Sequence, residues 1–177
     1  VYQGTFAPGV VPGTTVFTPD DGPNNVGVAF GIGGTAGAFS YQITGGWDFD
    51  NEDGAIRAMG TAELGPGTLG LAVVYSSGPN SYYSTAEWAV AGEYAIKATD
   101  KLKITPGVQY YGNYIGGADP FDTVPDSFDG TGDAWKAGLT VDYQIVDNFY
   151  AKASVQYLDP EDGDDVTTGY FRLQRSF

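Results

Sequence analysis

The sequence predicts an all-β protein: an antiparallel, up-and-down transmembrane β-barrel, with about ten strands in its 177 residues. Three observations carry that prediction. Apolar and polar residues alternate with period two in one segment after another. The links between segments alternate between short and long. Aromatic residues gather at the two ends of the apolar parity.

Composition agrees with this class. Hydrophobic residues make up 42% of the chain, too many for a disordered segment. Charged residues reach only 17%, below the roughly 25% of an ordinary soluble domain. The chain carries 27 Gly and 10 Pro, which interrupt helices, and 13 Tyr, which favours strands.

Taken in order, a short strand is expected at 2–6. Gly-rich but alternating strands follow at 26–32, 39–47, 56–64 and 69–75. The pattern is clearest over 85–97. Ala86, Trp88, Val90, Gly92, Tyr94 and Ile96 share one parity, and Glu87, Glu93 and Lys97 fall on the other. Over 102–114, Leu102, Ile104, Pro106, Val108, Tyr110 and Tyr114 oppose Lys103, Thr105, Gln109, Tyr111 and Asn113. Proline is unusual inside a strand, so Pro106 predicts a bulge or a local break in the ladder. Over 135–145, Trp135, Ala137, Leu139, Val141, Tyr143 and Ile145 oppose Lys136, Thr140, Asp142 and Gln144. Over 149–157, Phe149, Ala151, Ala153, Val155 and Tyr157 oppose Tyr150, Lys152, Ser154 and Gln156. The last strand is expected at 166–177.

Short turns are expected at 33–36, 65–67, 98–100 and 146–148. Longer links are expected at 7–24, 48–53, 77–81, 116–132 and 159–165. Outer-membrane barrels have this asymmetry, with tight periplasmic turns and longer outer loops, and the phase puts the C-terminus on the periplasmic side. Trp47, Tyr75, Trp88, Tyr114, Trp135 and Tyr157 lie toward the long loops; Tyr94, Tyr143, Phe149 and Phe177 lie toward the short turns. Two aromatic belts suit the two bilayer interfaces. Strands of about ten residues suit a tilted span, whereas soluble strands average five or six.

Several chemistries are disfavoured. Without Cys there is no disulfide, thiolate ligand or thiol nucleophile, and without His the commonest general base is missing. A net charge of −14 disfavours nucleic-acid binding. The Gly-rich stretch GIGGTAG is not followed by the Lys of a phosphate-binding loop. No enzyme activity, cofactor or metal site is expected.

The stretch WAVAGEYAIKATDKLKITPGVQYYGNY and the closing YFRLQRSF resemble the C-terminal portion of the alphaproteobacterial outer-membrane porins. The resemblance is strongest from Trp88 to Phe177. It implies a sixteen-stranded, homotrimeric, water-filled barrel narrowed by an inward-folded loop, passing small hydrophilic solutes and ions through the outer membrane of a Gram-negative bacterium. It implies contact with outer-membrane lipid and lipopolysaccharide. It also implies that Phe171, Leu173 and Phe177 form the terminal signal read by barrel-assembly machinery. Arg175 departs from that pattern, since parity puts it on the apolar face; near the interface a long Arg can snorkel.

In that reading the polar parity lines the lumen. Its candidates are Arg57, Glu63, Glu87, Glu93, Lys103, Lys136, Asp142, Lys152 and Arg172, and mixed charges across a pore set a transverse field. The plainer alternative is the wet face of a soluble sheet. Acidic residues crowd two links: Asp119, Asp122, Asp126, Asp129 and Asp133 in one, Asp159, Glu161, Asp162, Asp164 and Asp165 in the other. They form either a cation-concentrating vestibule or a calcium bridge to lipid, but DPEDGDD does not match an EF-hand loop, and a solvated loop is favoured. Two other functions stay open: a structural or adhesive barrel without a wide channel, and a soluble β-barrel binding protein. Residues 1–177 form either a single barrel domain or the C-terminal part of one. The inward Tyr111, Tyr150 and Tyr170 would crowd a ten-stranded lumen, so the last strand is expected to pair with one outside this sequence.

Overall fold

A computed structural model describes residues 26–115, 127–129 and 132–176. It holds nine strands: β1 (Gly27–Ala36), β2 (Phe39–Asp48), β3 (Asp53–Leu64), β4 (Gly67–Ser76), β5 (Ala86–Lys97), β6 (Leu102–Tyr114), β7 (Ala134–Val146), β8 (Phe149–Pro160) and β9 (Val166–Arg175). They form one antiparallel sheet in chain order, every strand hydrogen-bonded to its sequence neighbours. The expected segment 2–6 and the terminal Phe177 lie outside the described residues.

Tight turns fix the register. Ala36 pairs with Phe39 and Leu64 with Gly67, which leaves Gly37–Ala38 and Gly65–Pro66 as two-residue loops. Gly37 and Gly65 have φ of 62° and 57° at the first loop position, the conformation a primed hairpin turn demands there. Asn148, with φ 61°, does the equivalent work between β7 and β8.

Three expectations need correction, and for Pro106 one of two expected alternatives holds. Residues 33–36 are strand, and the turn follows them. Gly33 and Gly34 make room across the ladder: a Cβ on Gly34 would lie 3.1 Å from the Tyr41 ring. Ile145 does not continue the apolar parity of β7, because the register shifts there, from Gln144↔Tyr150 to Val146↔Phe149. Asp159 belongs to β8 rather than to the following link. Pro106 makes no bulge toward β7, where it pairs with Leu139 in unbroken register. On the β5 side the ladder lapses between Glu93↔Gly107 and Ile96↔Ile104 without changing register. That is the local break expected of a residue with no N–H to donate.

The connections are short at 37–38, 65–66 and 147–148 and long at 77–85 and 115–133. The two-step rhythm weakens once, since 49–52 on the long side is no longer than 98–101 on the short side. The sheet is a single layer. Its one buried apolar cluster among the described residues is Ala86, Ala89, Tyr111 and Ala134, packed by Tyr83, Tyr114 and Leu158 near the long-loop end.

Candidate functional site

Strand pairing gathers the charged side chains on one face. Perpendicular to the strands runs the row Lys97↔Lys103↔Asp142↔Lys152↔Arg172, one residue from each of β5 to β9. Asp142 holds the row together: its carboxylate lies 3.0 Å from Lys152 Nζ and 3.4 Å from Lys103 Nζ. The Lys152 side chain is only 12% exposed, so its charge is held in the wall rather than in bulk water. The row carries four cations and one anion.

The neighbouring rows of that face are small or hydroxylic. Thr105, Gln109, Thr140 and Ser154 are buried, and the Thr140 and Ser154 hydroxyls lie 3.0 Å apart. Lys136 pairs with Gln109 and Leu158. Glu93 lies between Gly70 and Gly107, and a Cβ on Gly70 would sit 3.2 Å from its side chain. Glu87 accepts a hydrogen bond from the Asn113 side-chain amide. Glu63 accepts one from Thr68 at 3.0 Å. Arg57 sits between Thr44 and Val74 on the same face. All nine sequence candidates therefore share one side of the sheet.

The opposite side is apolar and uncovered. Val90, Val108, Leu139 and Val155 are 41–63% exposed, and Ile104 and Val141 share their face by register. On the polar face the middle strands are more enclosed, with Val74, Ala89, Ala91, Thr105, Gln109, Thr140 and Ser154 buried, whereas Glu63, Lys103 and Arg172 are exposed. Aromatic rings lie on the outer face over glycines of the next strand: Trp47 over Gly54, Trp88 over Gly112, Phe30 over Gly45. Such cross-strand pairing fills space a glycine leaves open. Trp88–Tyr110 and Trp135–Tyr157 rings pack 5.5 and 5.3 Å apart at the long-loop end. Tyr110, on the apolar parity as the sequence predicts, joins this belt. Tyr114 does not: Asn113 has φ 54°, the alternation fails there, and the Tyr114 ring packs against inward Tyr111 at 5.1 Å.

The long-loop rim is ordered by side chains. Asp48 is buried and accepts from the backbone N–H of Asp50 and Asn51, the Asn51 amide, and both the N–H and the hydroxyl of Ser81. That ties link 49–52 to link 77–85. Asp133 accepts from the Tyr110 hydroxyl at 2.6 Å and the Asn113 N–H at 3.0 Å. The Tyr110 hydrogen bond, with help from Asn113, holds the Asp133 carboxyl below the usual range. Glu161 accepts from the Asp133 N–H and donates its own N–H back to the Asp133 carbonyl. The two acidic links thus meet at one rim; Asp119, Asp122 and Asp126 lie outside the described residues. Among the described residues no group of acidic side chains is arranged to hold a metal ion.

Comparison with known proteins settles the class. The model of the "Porin subfamily" matches residues 7–172. The chain belongs to the porin family. Outer membrane protein IIIA of Rhizobium leguminosarum bv. viciae is 79% identical over 171 residues, 97% of this chain and 44% of that protein. The y4fJ protein of Sinorhizobium fredii (strain NBRC 101917 / NGR234) is 41% identical over 118 residues, 65% of this chain and 31% of the relative. The chain thus spans less than half the length of the curated relatives it matches. No solved structure matches it. This porin is an outer-membrane protein of the all-β transmembrane type, and the resemblance carried by Trp88 to Phe177 extends over nearly the whole chain.

In the porin, β9 presents Phe171 and Leu173 on the outer face, 67% and 54% exposed, with Arg175 on the same parity opposite Phe149. What the sequence did not reveal is the course of link 77–85. Its Tyr82 lies on the polar face over β1 and β2: a Cβ on Gly27 would meet the Tyr82 hydroxyl at 2.6 Å, and one on Gly46 would meet the ring at 2.5 Å. The one signal was a tyrosine pair in an otherwise small and polar link.

Proposed function

We propose that the chain forms part of the wall of a water-filled pore through which small hydrophilic solutes and ions diffuse passively. One observation carries this reading: every charged candidate sits on the face opposite Val90, Val108, Leu139 and Val155, on six of the seven strands from β3 to β9. Lipid selects the apolar face, and only water tolerates Arg57, Lys103, Lys136, Lys152 and Arg172 on the other. Glu63, Glu87, Glu93 and Asp142 supply the opposite sign, so the wall holds both charges needed for a transverse field.

A lipid-embedded sheet cannot leave a strand edge open. Among the described residues β9 pairs only with β8, and the chain covers 44% of its Rhizobium relative. The reading therefore includes closure of β9 against a strand outside this sequence, in a wider barrel. Trimer formation, contact with lipopolysaccharide, and recognition of Phe171, Leu173 and Phe177 by assembly machinery belong to the same reading.

Planar-bilayer recording on the full-length protein tests it. Stepwise, nearly ohmic conductance proportional to bulk salt is expected, with hexose-driven swelling of proteoliposomes. A folded, inserted protein that neither conducts nor admits hexose would favour a structural or adhesive barrel.

A further inference from the structure

The charged row on the polar face holds unrelieved repulsion. Its order, Lys97, Lys103, Asp142, Lys152 and Arg172, makes four cross-strand neighbours. The two inner ones join opposite charges, at 3.4 and 3.0 Å. The two outer ones, Lys97↔Lys103 and Lys152↔Arg172, set like charges directly opposite each other, which destabilises a sheet. Asp142 is shared by Lys103 and Lys152, so it offsets one charge of the two. Asp100 lies 3.7 Å from Lys97, but both side chains are well exposed, and such a pair contributes little. Among the described residues Arg172 forms no ion pair.

The flanking rows add no acid between β6 and β9. Toward the long loops stand Thr105, Thr140, Ser154 and Tyr170; toward the short turns stand Gln144, Tyr150 and Gln174. Lys97, Lys103 and Arg172 are exposed, and so are Tyr150, Tyr170 and Gln174, whose phenol and amide groups donate hydrogen bonds. Neighbouring strands lie about 5 Å apart, so each like-charged pair brackets a narrow gap open to the polar side. A compact tetrahedral oxyanion presents acceptors to both cations at once, and the planar fork of Arg172 can meet two of its oxygens. A dicarboxylate sets its charges apart on an apolar spacer, for which this row offers no apolar ground. A sugar lacks the charge. The acidic rim does not cancel the row: Asp133 precedes Asp142 by nine residues, about 30 Å of extended chain, against a screening length of about 10 Å at 0.1 M salt.

We infer that Lys97, Lys103, Lys152 and Arg172 form a docking row for small multivalent oxyanions of the phosphate type, near the short-turn end of the polar wall. This rests on reading that wall as the lining of a wet pore. The row faces away from lipid, so its ligand is a dissolved anion rather than a headgroup. Anions of that class pause at the row during passage, whereas monovalent ones pass.

Pyrophosphate is the probe and acetate the monovalent competitor, used on the full-length protein. In phospholipid-free detergent micelles, broadening of the pyrophosphate phosphorus resonance reads docking directly. In planar bilayers, the fall in potassium chloride current with added pyrophosphate reads it during conduction. Both effects are expected, and acetate at equal concentration should compete with neither. Lys103→Gln and Arg172→Gln should each weaken docking roughly tenfold, the worth of one charge-assisted contact, while Arg172→Lys keeps most of it. Lys136→Gln removes the same charge from the same face about 20 Å along β7 and should weaken docking far less. Raising the salt should release pyrophosphate from the unaltered protein, a check that needs no variant. Absence of broadening, equal competition by acetate, or equal losses in Lys136→Gln and Arg172→Gln would overturn the inference even in a protein that conducts. Broadening that depends on Lys103 and Arg172 in a protein that never conducts would sustain the site and refute the pore reading instead.

Discussion

Leu139 lies in the middle of β7, pairs with Pro106 and Val155, and is 41% exposed on the apolar face. In a soluble sheet that exposure would be a liability; in lipid it is the resting state. Leu139→Arg is expected to destabilise the folded barrel by roughly 2–4 kcal/mol in bilayers, and Leu139→Thr much less, as read by urea titration in liposomes. Equal effects of the two would place Leu139 away from the hydrocarbon. At the rim, Asp133 is held by Tyr110 and Asn113. Its folded carboxyl lies below the ordinary value, so that contact is complete above the usual aspartate range and fades as pH falls through the folded midpoint. Carbonyl-carbon NMR should place the Asp133 midpoint below about 3.9, and Tyr110→Phe should raise it. An unmoved midpoint in Tyr110→Phe would contradict the assignment. The parity of Lys103, Lys136, Asp142 and Lys152 was legible in the sequence because alternation is a local rule. The places of Tyr82 and Tyr114 were not. The first depends on a link crossing three strands, the second on a left-handed Asn113 that resets the alternation.

Strand boundaries follow from turn chemistry more than from hydrophobicity. The bounds of β6, Leu102 to Tyr114, were legible because a long alternating run marks them. β1 was cut short, because Gly33 and Gly34 read as turn residues although they serve packing beside Tyr41. The tight end between β7 and β8 relies on Asn148 at φ 61°, following the shift at Ile145. Asn tolerates that conformation, Gly adopts it freely, and a β-branched residue does not. Asn148→Gly is therefore expected to change stability little, whereas Asn148→Val should cost about 1–2 kcal/mol. The same urea titration checks this, and a neutral Asn148→Val would mean the turn has another conformation in the membrane.

The whole molecule is an ordered sheet with one wet and one greasy side and, among the described residues, no ladder between β1 and β9. Its fold class, its strand order and the division of its faces were legible because each strand repeats the same two-residue rule. Closure was not, because it depends on strand partners that local alternation does not specify. The central claim is the division of faces, and the absence of cysteine from these 177 residues lets single cysteines report on β7. Single cysteines placed in turn at positions 135–143 of β7 in the full-length protein, reconstituted in lipid, can be challenged with a charged, membrane-impermeant maleimide and with a bilayer-dissolved quencher of an attached fluorophore. The expected result is strict alternation: positions 136, 138, 140 and 142 label from water, and positions 137, 139 and 141 are shielded from the maleimide and quenched by lipid. Labelling of both parities to the same extent, or lipid quenching at position 142 and water access at position 139, would contradict it.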